Sequence, residues 1–392
     1  MDTDENEDIE NNPPDMDEGD PGSLAAQMDA DKNEDIENNC PPGSVLDLKD
    51  LVESATLQNI RTALQFIQEL KTASLDNSHL APDIVSWLKN PPSDPVVLTP
   101  DEWLSLELFI STQNTAQHFY TSAKKAIEQR HPENHILTYD KVKQLTAEIT
   151  GISPITNHMC IKSCVAYTGP FSALEACPVC GEPHFDSLHQ LQQIFNTIPI
   201  GLQLQALKRN KNKAMALHYR TLHTEALLSE LDDNKNLPKS YSNFFDGSQY
   251  LKAISEGLIE DNDIVLMLSL DGAQLFMSKQ SDCWICIWVV FDHSPDVCYK
   301  KPSVLPAFVI PGPNPPQLMD PFLYQSLQHL TALQKDGLCI WDGFKEKIVT
   351  SYPFFTLGTM DGPGLTHLNG LVGHMGRNGC HLYCSTCGRQ KP

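Results

Sequence analysis

The chain has 392 residues, which is long enough for two or three domains with a sizeable buried core. Its formal net charge of −22 argues against nucleic-acid binding at first sight. However, residues 1–50 alone hold 17 acidic and only 2 basic side chains. The rest of the chain is therefore only mildly acidic and can still present local basic surfaces. The first residues lack the basic and apolar segments of a secretory signal, and no apolar run is long enough to span a bilayer, which predicts a soluble, non-secreted protein.

Residues 1–43 are rich in Asp, Glu, Asn and Pro and offer almost nothing to bury, which predicts a disordered acidic tail. The string NEDIENN occurs at residues 6–12 and again at residues 33–39, which indicates a local duplication within this tail. No chemistry is assigned to it.

Residues 44–150 have apolar residues at helical spacing and are predicted to be a helical region. Thr99, Pro100 and Glu102 form a helix start, because Thr99 can cap the free amides and Glu102 can return the hydrogen bond. We expect one long helix from there to about Gln129. A further helix is predicted from Thr138 to Ile149, ending before Gly151.

Two short-spaced cysteine pairs follow within residues 151–186. The second pair lies in the string Cys-Pro-Val-Cys-Gly-Glu, where Pro and Gly favour a tight turn. Such spacing lets four thiolates converge tetrahedrally, as a structural Zn²⁺ site requires. The alternative is four buried or disulfide-bonded cysteines, but paired spacing of this kind is uncommon by chance, and a reducing compartment disfavours disulfides. The predicted zinc ligands are Cys160, Cys164, Cys177 and Cys180.

Residues 187–245 are predicted to be a helical linker that carries a basic cluster. Such a cluster can contact DNA phosphates, although a solvated helix face is the more ordinary interpretation. The candidate DNA-binding residues are Lys208, Arg209, Lys211 and Lys213.

Residues 246–392 change to strand-like patterns. We predict three strands, at Ile264–Leu270, Cys283–Phe291 and Val304–Ile310, then a helix at Pro321–Lys335 and a last strand at about Ile348–Gly358. This order is the opening of the ribonuclease H-like fold. The fold class predicted for the whole chain is therefore α+β or α/β, with a helical N-terminal region, a small four-cysteine zinc element and an RNase H-like core.

Asp271 and Asp361 are predicted to lie just after the first and last of these strands. Carboxylates that converge at one edge of a sheet are suitable ligands for Mg²⁺ and for two-metal phosphoryl transfer. Each aspartate also precedes a glycine, and Asp-Gly is a common turn signal, so two ordinary turns remain the alternative.

Several strings resemble CACTA-type (En/Spm-like) DNA transposases, and in particular the fungal Plavaka group. The resemblance begins at about residue 56 and includes both cysteine pairs. In the strand-rich part it includes LSLDGAQ at 268–274, KQSDCW at 279–284, IPGPN at 310–314, WD at 341–342, DGPG at 361–364, GLVGH at 370–374 and GCHLYC at 379–384.

The resemblance implies a DDE/D-type nuclease that cuts transposon ends and joins them to target DNA, and hence a nuclear location. Asp271 and Asp361 would be the first two catalytic carboxylates and would hold Mg²⁺ or Mn²⁺. Cys380, Cys384 and Cys387 resemble the start of a second zinc-binding insertion. A homo-oligomer is compatible with this interpretation.

The chain ends at Pro392, before a third acid. We therefore expect a truncated copy with an incomplete core and weak or no activity. Two alternatives remain open. One is a non-catalytic, zinc-containing DNA-binding protein derived from a transposon, and the other is a zinc-braced module that binds only proteins.

Overall fold

The computed structural model describes residues 48–77, 80–93, 96–233, 240–274 and 282–361, together with Gly364, Leu365, Leu368 and Gly376. The predicted acidic tail, residues 1–43, lies outside these described residues. Within the described ranges, every helix is too short or too polar to cross a bilayer.

Helices fill the first third of the described chain, as predicted. Thr99 caps α4 through a reciprocal pair of hydrogen bonds with Glu102, and α6 ends at the left-handed Gly151, so both predicted helix boundaries are confirmed. The six helices are α1 (Leu48–Ser54), α2 (Gln58–Leu70), α3 (Pro82–Lys89), α4 (Pro100–Ser111), α5 (Gln117–Arg130) and α6 (Tyr139–Thr150).

The single long helix predicted from Thr99 to about Gln129 is wrong. The chain leaves the helix after Ser111, where the Thr112 hydroxyl bonds back to the carbonyl of Leu108 at 2.8 Å. Such polar side chains compete with the helical backbone bonds. The break lets α4, α5 and α6 pack around their own small core of Tyr120, Ile136 and Val142.

A six-stranded sheet forms the centre of the molecule, in the order β1-β2-β5-β4-β3-β8. All neighbouring strands are antiparallel except β3 and β8, which are parallel. The strands among the described residues are β1 (Ile155–His158), β2 (Ile194–Thr197), β3 (Val265–Gln274), β4 (Asp282–Val290), β5 (Leu305–Pro311), β6 (Leu338–Asp342), β7 (Lys347–Ser351) and β8 (Phe354–Thr359).

The order β5-β4-β3-β8, with three antiparallel strands followed by a parallel fourth, is the predicted RNase H-like arrangement. The mixed α+β fold class is therefore confirmed. The helix between the third and fourth of these strands is α12. The later helices are α7 (Ile200–Arg209), α8 (Lys211–Ala216), α9 (Tyr219–Asp233), α10 (Ser248–Ser255), α11 (Pro295–Cys298) and α12 (Asp320–Asp336).

The predicted last strand, Ile348–Gly358, is two strands in different sheets. The first part is β7, which forms a separate hairpin with β6, and the second part is β8. Pro353 separates them, and a proline cannot donate to a ladder of hydrogen bonds. The predicted helical linker 187–245 likewise contains β2, which pairs with β5.

The sheet buries both of its faces. Alternate residues of β3 point in opposite directions, so Leu266 and Leu268 pack with Leu333 of α12 in a first core cluster, whereas Val265 and Met267 face α10 in a second. Helices therefore cover both faces of this part of β3.

A buried ion pair joins α9 to this sheet. The Arg220 guanidinium donates to Asp292 at 2.8 Å, and the other oxygen of Asp292 accepts from the backbone N–H of Val265 at 2.7 Å. Arg220 also donates to the carbonyl of Asp263, at 2.8 Å. These bonds fix the amino end of β3.

Candidate metal centres

The four predicted zinc ligands lie in a loop of residues 159–193 that connects β1 to β2. Each cysteine pair is closed by a residue in the left-handed region, Ser163 at φ 60° and Gly181 at φ 73°. The N–H of Lys162 points at the Cys160 sulfur, 3.4 Å away, and the N–H of Gly181 donates to the Cys177 carbonyl at 2.9 Å. We call residues 159–193 the cysteine loop.

The sulfur atoms of Cys160, Cys164, Cys177 and Cys180 all lie within 4.8 Å of one another, and those of Cys160 and Cys180 are 3.5 Å apart. A tetrahedral Zn²⁺ with bonds of about 2.3 Å separates its sulfur ligands by about 3.8 Å. The arrangement is therefore compatible with structural zinc. Among the described residues, this is the one group of at least three Cys, His, Asp or Glu side chains that could share a metal ion.

Burial makes two of these thiols weaker acids than a free cysteine. It raises the pKa of the Cys177 thiol to about 11, and it also raises the pKa of the Cys164 thiol. A bound cation reverses this preference, because a thiol that coordinates zinc is deprotonated. The donor set therefore suits a metal that tolerates soft sulfur ligands and a closed tetrahedral site.

The cysteine loop is bonded to the connection between β5 and α12. The carbonyl of Cys164 accepts from the backbone N–H groups of Gln317 and Leu318, at 3.0 and 3.1 Å. The Ser163 hydroxyl lies 3.3 Å from the carbonyl of Pro311, the last residue of β5. The cysteine loop thus holds the segment that connects β5 to α12.

Two histidines flank the cysteines without joining them. His158 Nδ1 lies 3.0 Å from His184 Nε2, and the His184 ring stacks on Tyr167 with 3.7 Å between ring centroids. Burial lowers the pKa of both histidines, so both are neutral near pH 7. One nitrogen of each ring faces the other histidine, and His184 Nδ1 lies 3.1 Å from the Leu174 carbonyl. The four sulfurs already complete a tetrahedral set.

Asp271 lies inside β3, opposite Ile285 of β4, because β3 continues to Gln274. The expectation that it lies just after the strand is therefore wrong, and so, for Asp271, is the alternative of an Asp-Gly turn. The apolar run alone marked the end of the strand too early. Asp271 is exposed, and no described residue donates a hydrogen bond to its carboxylate.

Asp361 lies two residues beyond the end of β8 and is also exposed. Ser269 of β3 pairs with Thr359, the last residue of β8, and the ladder ends at this pair. Asp271 and Asp361 each lie two residues beyond it in the sequence. Neighbouring strands lie about 4.8 Å apart, and residues two apart share one face. One oxygen of Asp361 accepts from the N–H of Gly364 at 2.7 Å.

The cysteine loop and the two aspartates share one edge of the sheet. Strands β1, β5 and β3 run in the same direction, so their carboxyl ends lie together. The cysteine loop starts at the carboxyl end of β1 and contacts Pro311 at the carboxyl end of β5. Asp271 lies near the carboxyl end of β3.

The strands that lead to the two aspartates lie in a part of the chain that is similar to a described protein family. Residues 249–391 match the transposase family tnp2. The match begins in α10 and includes both aspartates, and it supports a transposase family for this chain. No curated protein matches the chain. The cysteine loop lies outside the tnp2 match, whereas Cys380, Cys384 and Cys387 lie inside it but outside the described residues.

The predicted basic cluster does not form one DNA-facing patch. Lys208 is buried, with its Nζ 3.5 Å from a carboxylate oxygen of Asp342 in the β6–β7 hairpin. Arg209 donates to the carbonyl of Ile149 at 2.9 Å. Only Lys211 and Lys213 of the cluster are exposed. The spacing of residues along one assumed helix could not separate the buried Lys208 and Arg209 from the exposed Lys211 and Lys213. In the structure α7 ends at Arg209 and a new helix starts at Lys211.

Asp342 and Asp263 are two carboxylates whose structural importance the sequence did not reveal. Asp342 is buried beside Lys208 and accepts from the N–H groups of Phe344 and Lys345, so it organises the hairpin turn. Asp263 is buried and accepts from the backbone N–H of Tyr352 at 2.7 Å. It therefore joins the segments that lead into β3 and β8.

Proposed function

We propose that the protein is a CACTA-type (En/Spm-like) DNA transposase, related to the fungal Plavaka group, that cuts and rejoins DNA by DDE/D-type phosphoryl transfer. The observation that carries this proposal is the register of the parallel pair β3 and β8, which leads to Asp271 and Asp361 on neighbouring chain segments. The tnp2 match over the same residues and the RNase H-like strand order support it. Its substrate would be DNA in the nucleus, both transposon ends and target.

Asp271 and Asp361 are the residues that would hold Mg²⁺ or Mn²⁺. When bound, the cations would supply charge stabilisation and an activated oxygen nucleophile for in-line attack at a phosphate. Both oxygens of Asp271 are free of described hydrogen-bond donors, so both remain available as ligands. The bond from Gly364 to one oxygen of Asp361 orients the other one.

The four cysteines would hold a structural Zn²⁺ with no open position. Their role would be to keep the β5–α12 connection in place, through the bonds from Gln317 and Leu318 to Cys164. Since this connection lies at the same edge as Asp271, the zinc site would also border bound DNA. The exposed Lys211 and Lys213 remain candidates for phosphate contacts elsewhere on the surface.

The proposal is tested by Mn²⁺ binding and by nicking of supercoiled plasmid DNA with the zinc-loaded full chain. We expect a class of tight Mn²⁺ sites in the wild-type protein that disappears in D271N and in D361N, because each loses a carboxylate ligand. Divalent-dependent nicking should disappear with it. The control is D76N, which removes an exposed carboxylate that pairs with Lys89 in the helical region.

Two results would contradict the proposal. Mn²⁺ binding that is equal in wild type, D271N, D361N and D76N would show that the two aspartates form no metal site. DNA binding that persists in both variants, with no divalent-dependent cleavage by the wild type, would instead favour the non-catalytic DNA-binding protein.

A further inference from the structure

Strand β8 contains one residue more than its partner β3. Val265 pairs with Phe354 and Leu266 with Phe355, but Met267 pairs with Leu357, so Thr356 has no partner in the ladder. This is a β-bulge, which is rare between parallel strands and is often found beside active sites, where it redirects side chains.

The bulge decides which residue after β8 corresponds in register to Asp271. Beyond it, Leu268 pairs with Gly358 and Ser269 with Thr359, where the ladder ends. Counted on by two residues, the same offset makes Asp361 the residue that corresponds to Asp271. In a regular ladder without the bulge, Met360 would take this place. Asp361 would then project from the other face of the sheet, because a shift by one residue reverses every side chain.

Both ends of β8 are fixed around this extra residue. Before the bulge, the N–H of Tyr352 donates to the Asp263 carboxylate at 2.7 Å, and the N–H of Phe354 donates to the carbonyl of Ile264 at 2.8 Å. After it, Met360 packs against the first core cluster. Between these two fixed ends, β8 has one residue more than β3 can pair with, and that residue is Thr356.

The side chain of Thr356 donates a hydrogen bond to β3 at the point where the bulge interrupts the backbone pairing. Its hydroxyl donates to the carbonyl of Leu266 at 3.0 Å, at the step where the register shifts. A bulge without this bond would leave the Leu266 carbonyl, on a fully buried residue, without that donor. The hydroxyl therefore favours the bulged register over a regular one.

We propose that Thr356 is a positioning residue whose hydroxyl bond to Leu266 holds the bulge in β8 and so brings Asp361 into register with Asp271. The inference rests on the proposed function, because it assigns the bulge a role in assembling that metal site. It places a determinant of metal binding five residues from the nearer aspartate, on a side chain that touches neither DNA nor metal.

The test compares Mn²⁺ affinity among full-length, zinc-loaded variants. T356V keeps the side-chain shape but loses the hydroxyl. We expect its Mn²⁺ affinity at the aspartate site to fall about 10- to 100-fold, the usual effect of removing a residue that orients a metal ligand. T356S keeps the hydroxyl and should bind within about twofold of wild type. T356A is measured alongside T356V, so that the result does not depend on one variant folding.

Deletion of Thr356 distinguishes the effect of the β3–β8 register from the effect of the hydrogen bond to Leu266. Removing Thr356 altogether restores a regular ladder in which Leu357 still pairs with Met267 and Asp361 still faces Asp271, so Mn²⁺ affinity should stay unchanged. The matched control is T146V, which breaks a similar bond from a threonine hydroxyl to the Val142 carbonyl, 2.8 Å long, in α6. It should also leave the affinity unchanged.

Each failure has a distinct signature. If D271N and D361N bind Mn²⁺ as well as wild type does, the proposed function fails, whatever Thr356 does. If those variants lose Mn²⁺ but T356V and T356A bind normally, the positioning role is overturned while the function stands. The register explanation is also overturned if the deletion loses as much affinity as T356V.

Discussion

The cysteine loop and the aspartate edge are two candidate metal centres on one sheet, and they are built in opposite ways. The four cysteines lie within 21 residues of one another, and two tight turns bring their sulfurs within 4.8 Å. Asp271 and Asp361 are 90 residues apart, and only the pairing of β3 with β8 could bring them to one metal site, as proposed above. The first centre depends on local turns, and the second on long-range register.

This difference determines what can disturb each centre. A change within the cysteine loop should affect zinc and the β5–α12 connection, but it leaves the β3–β8 ladder intact. A change at the remote amino ends of β3 and β8 should disturb the aspartates while the cysteines still bind zinc. The two centres should therefore respond separately to matched substitutions.

The largest effect is expected from loss of zinc. Structural zinc sites contribute on the order of 10 kcal/mol of binding free energy in small peptides. We expect C177S to lose about one zinc atom per chain by elemental analysis and to become sensitive to proteolysis in the cysteine loop. Cys339 of β6 lies outside the quartet, so C339S should keep its zinc. Equal zinc contents in C177S and C339S would show that the quartet holds no metal.

A smaller effect is expected where the two aspartate strands are joined. D263N replaces a buried carboxylate that accepts from Tyr352 and Glu260, and it should lower the free energy of unfolding by about 3 kcal/mol. It should also weaken Mn²⁺ binding but leave zinc content unchanged. The neighbouring D261N, at an exposed side chain, should change stability by less than about 0.5 kcal/mol in urea melts. Equal stabilities of D263N and D261N would show that Asp263 does not hold the two strands together.

These results also define what the sequence could predict. Short ligand spacing revealed the cysteine site, and runs of apolar, β-branched and aromatic residues revealed the core strands, since both signals are local. The register of β8, the bulge at Thr356 and the burial of Lys208 depend on which distant segments pack together. The sequence placed Asp271 after its strand because an apolar run shows where burial ends, whereas hydrogen bonding continues to Gln274.

The smallest effect concerns acid stability of the helical layer on the sheet. His329 of α12 is fully buried, and its Nε2 accepts from the N–H of Gly201 in α7 at 3.1 Å. Burial lowers the pKa of His329 to about 4. The unfolded chain takes up a proton near pH 6.5, whereas folded His329 does not until about pH 4, so stability falls as pH falls between these values.

Between pH 6.5 and 5.5 this histidine should account for a loss of about 1 kcal/mol in unfolding free energy. H329Q cannot take up this proton, so its stability should fall less over the same interval in urea melts. H223Q serves as control, because His223 is only half-buried and pairs with Asp246. Identical pH slopes in wild type and H329Q would show that His329 is not protonated on unfolding.

Asp271 and Asp361 should share a metal ion although they are far apart in the chain, and the proposed chemistry depends on this. Anomalous diffraction from crystals of the zinc-loaded protein soaked in Mn²⁺ would locate both metals at once. We predict a manganese peak at the carboxyl edge of the sheet, within about 2.2 Å of an oxygen of each aspartate, and a separate zinc peak within about 2.3 Å of the four cysteine sulfurs. A zinc peak with no manganese between the aspartates would contradict the shared metal site.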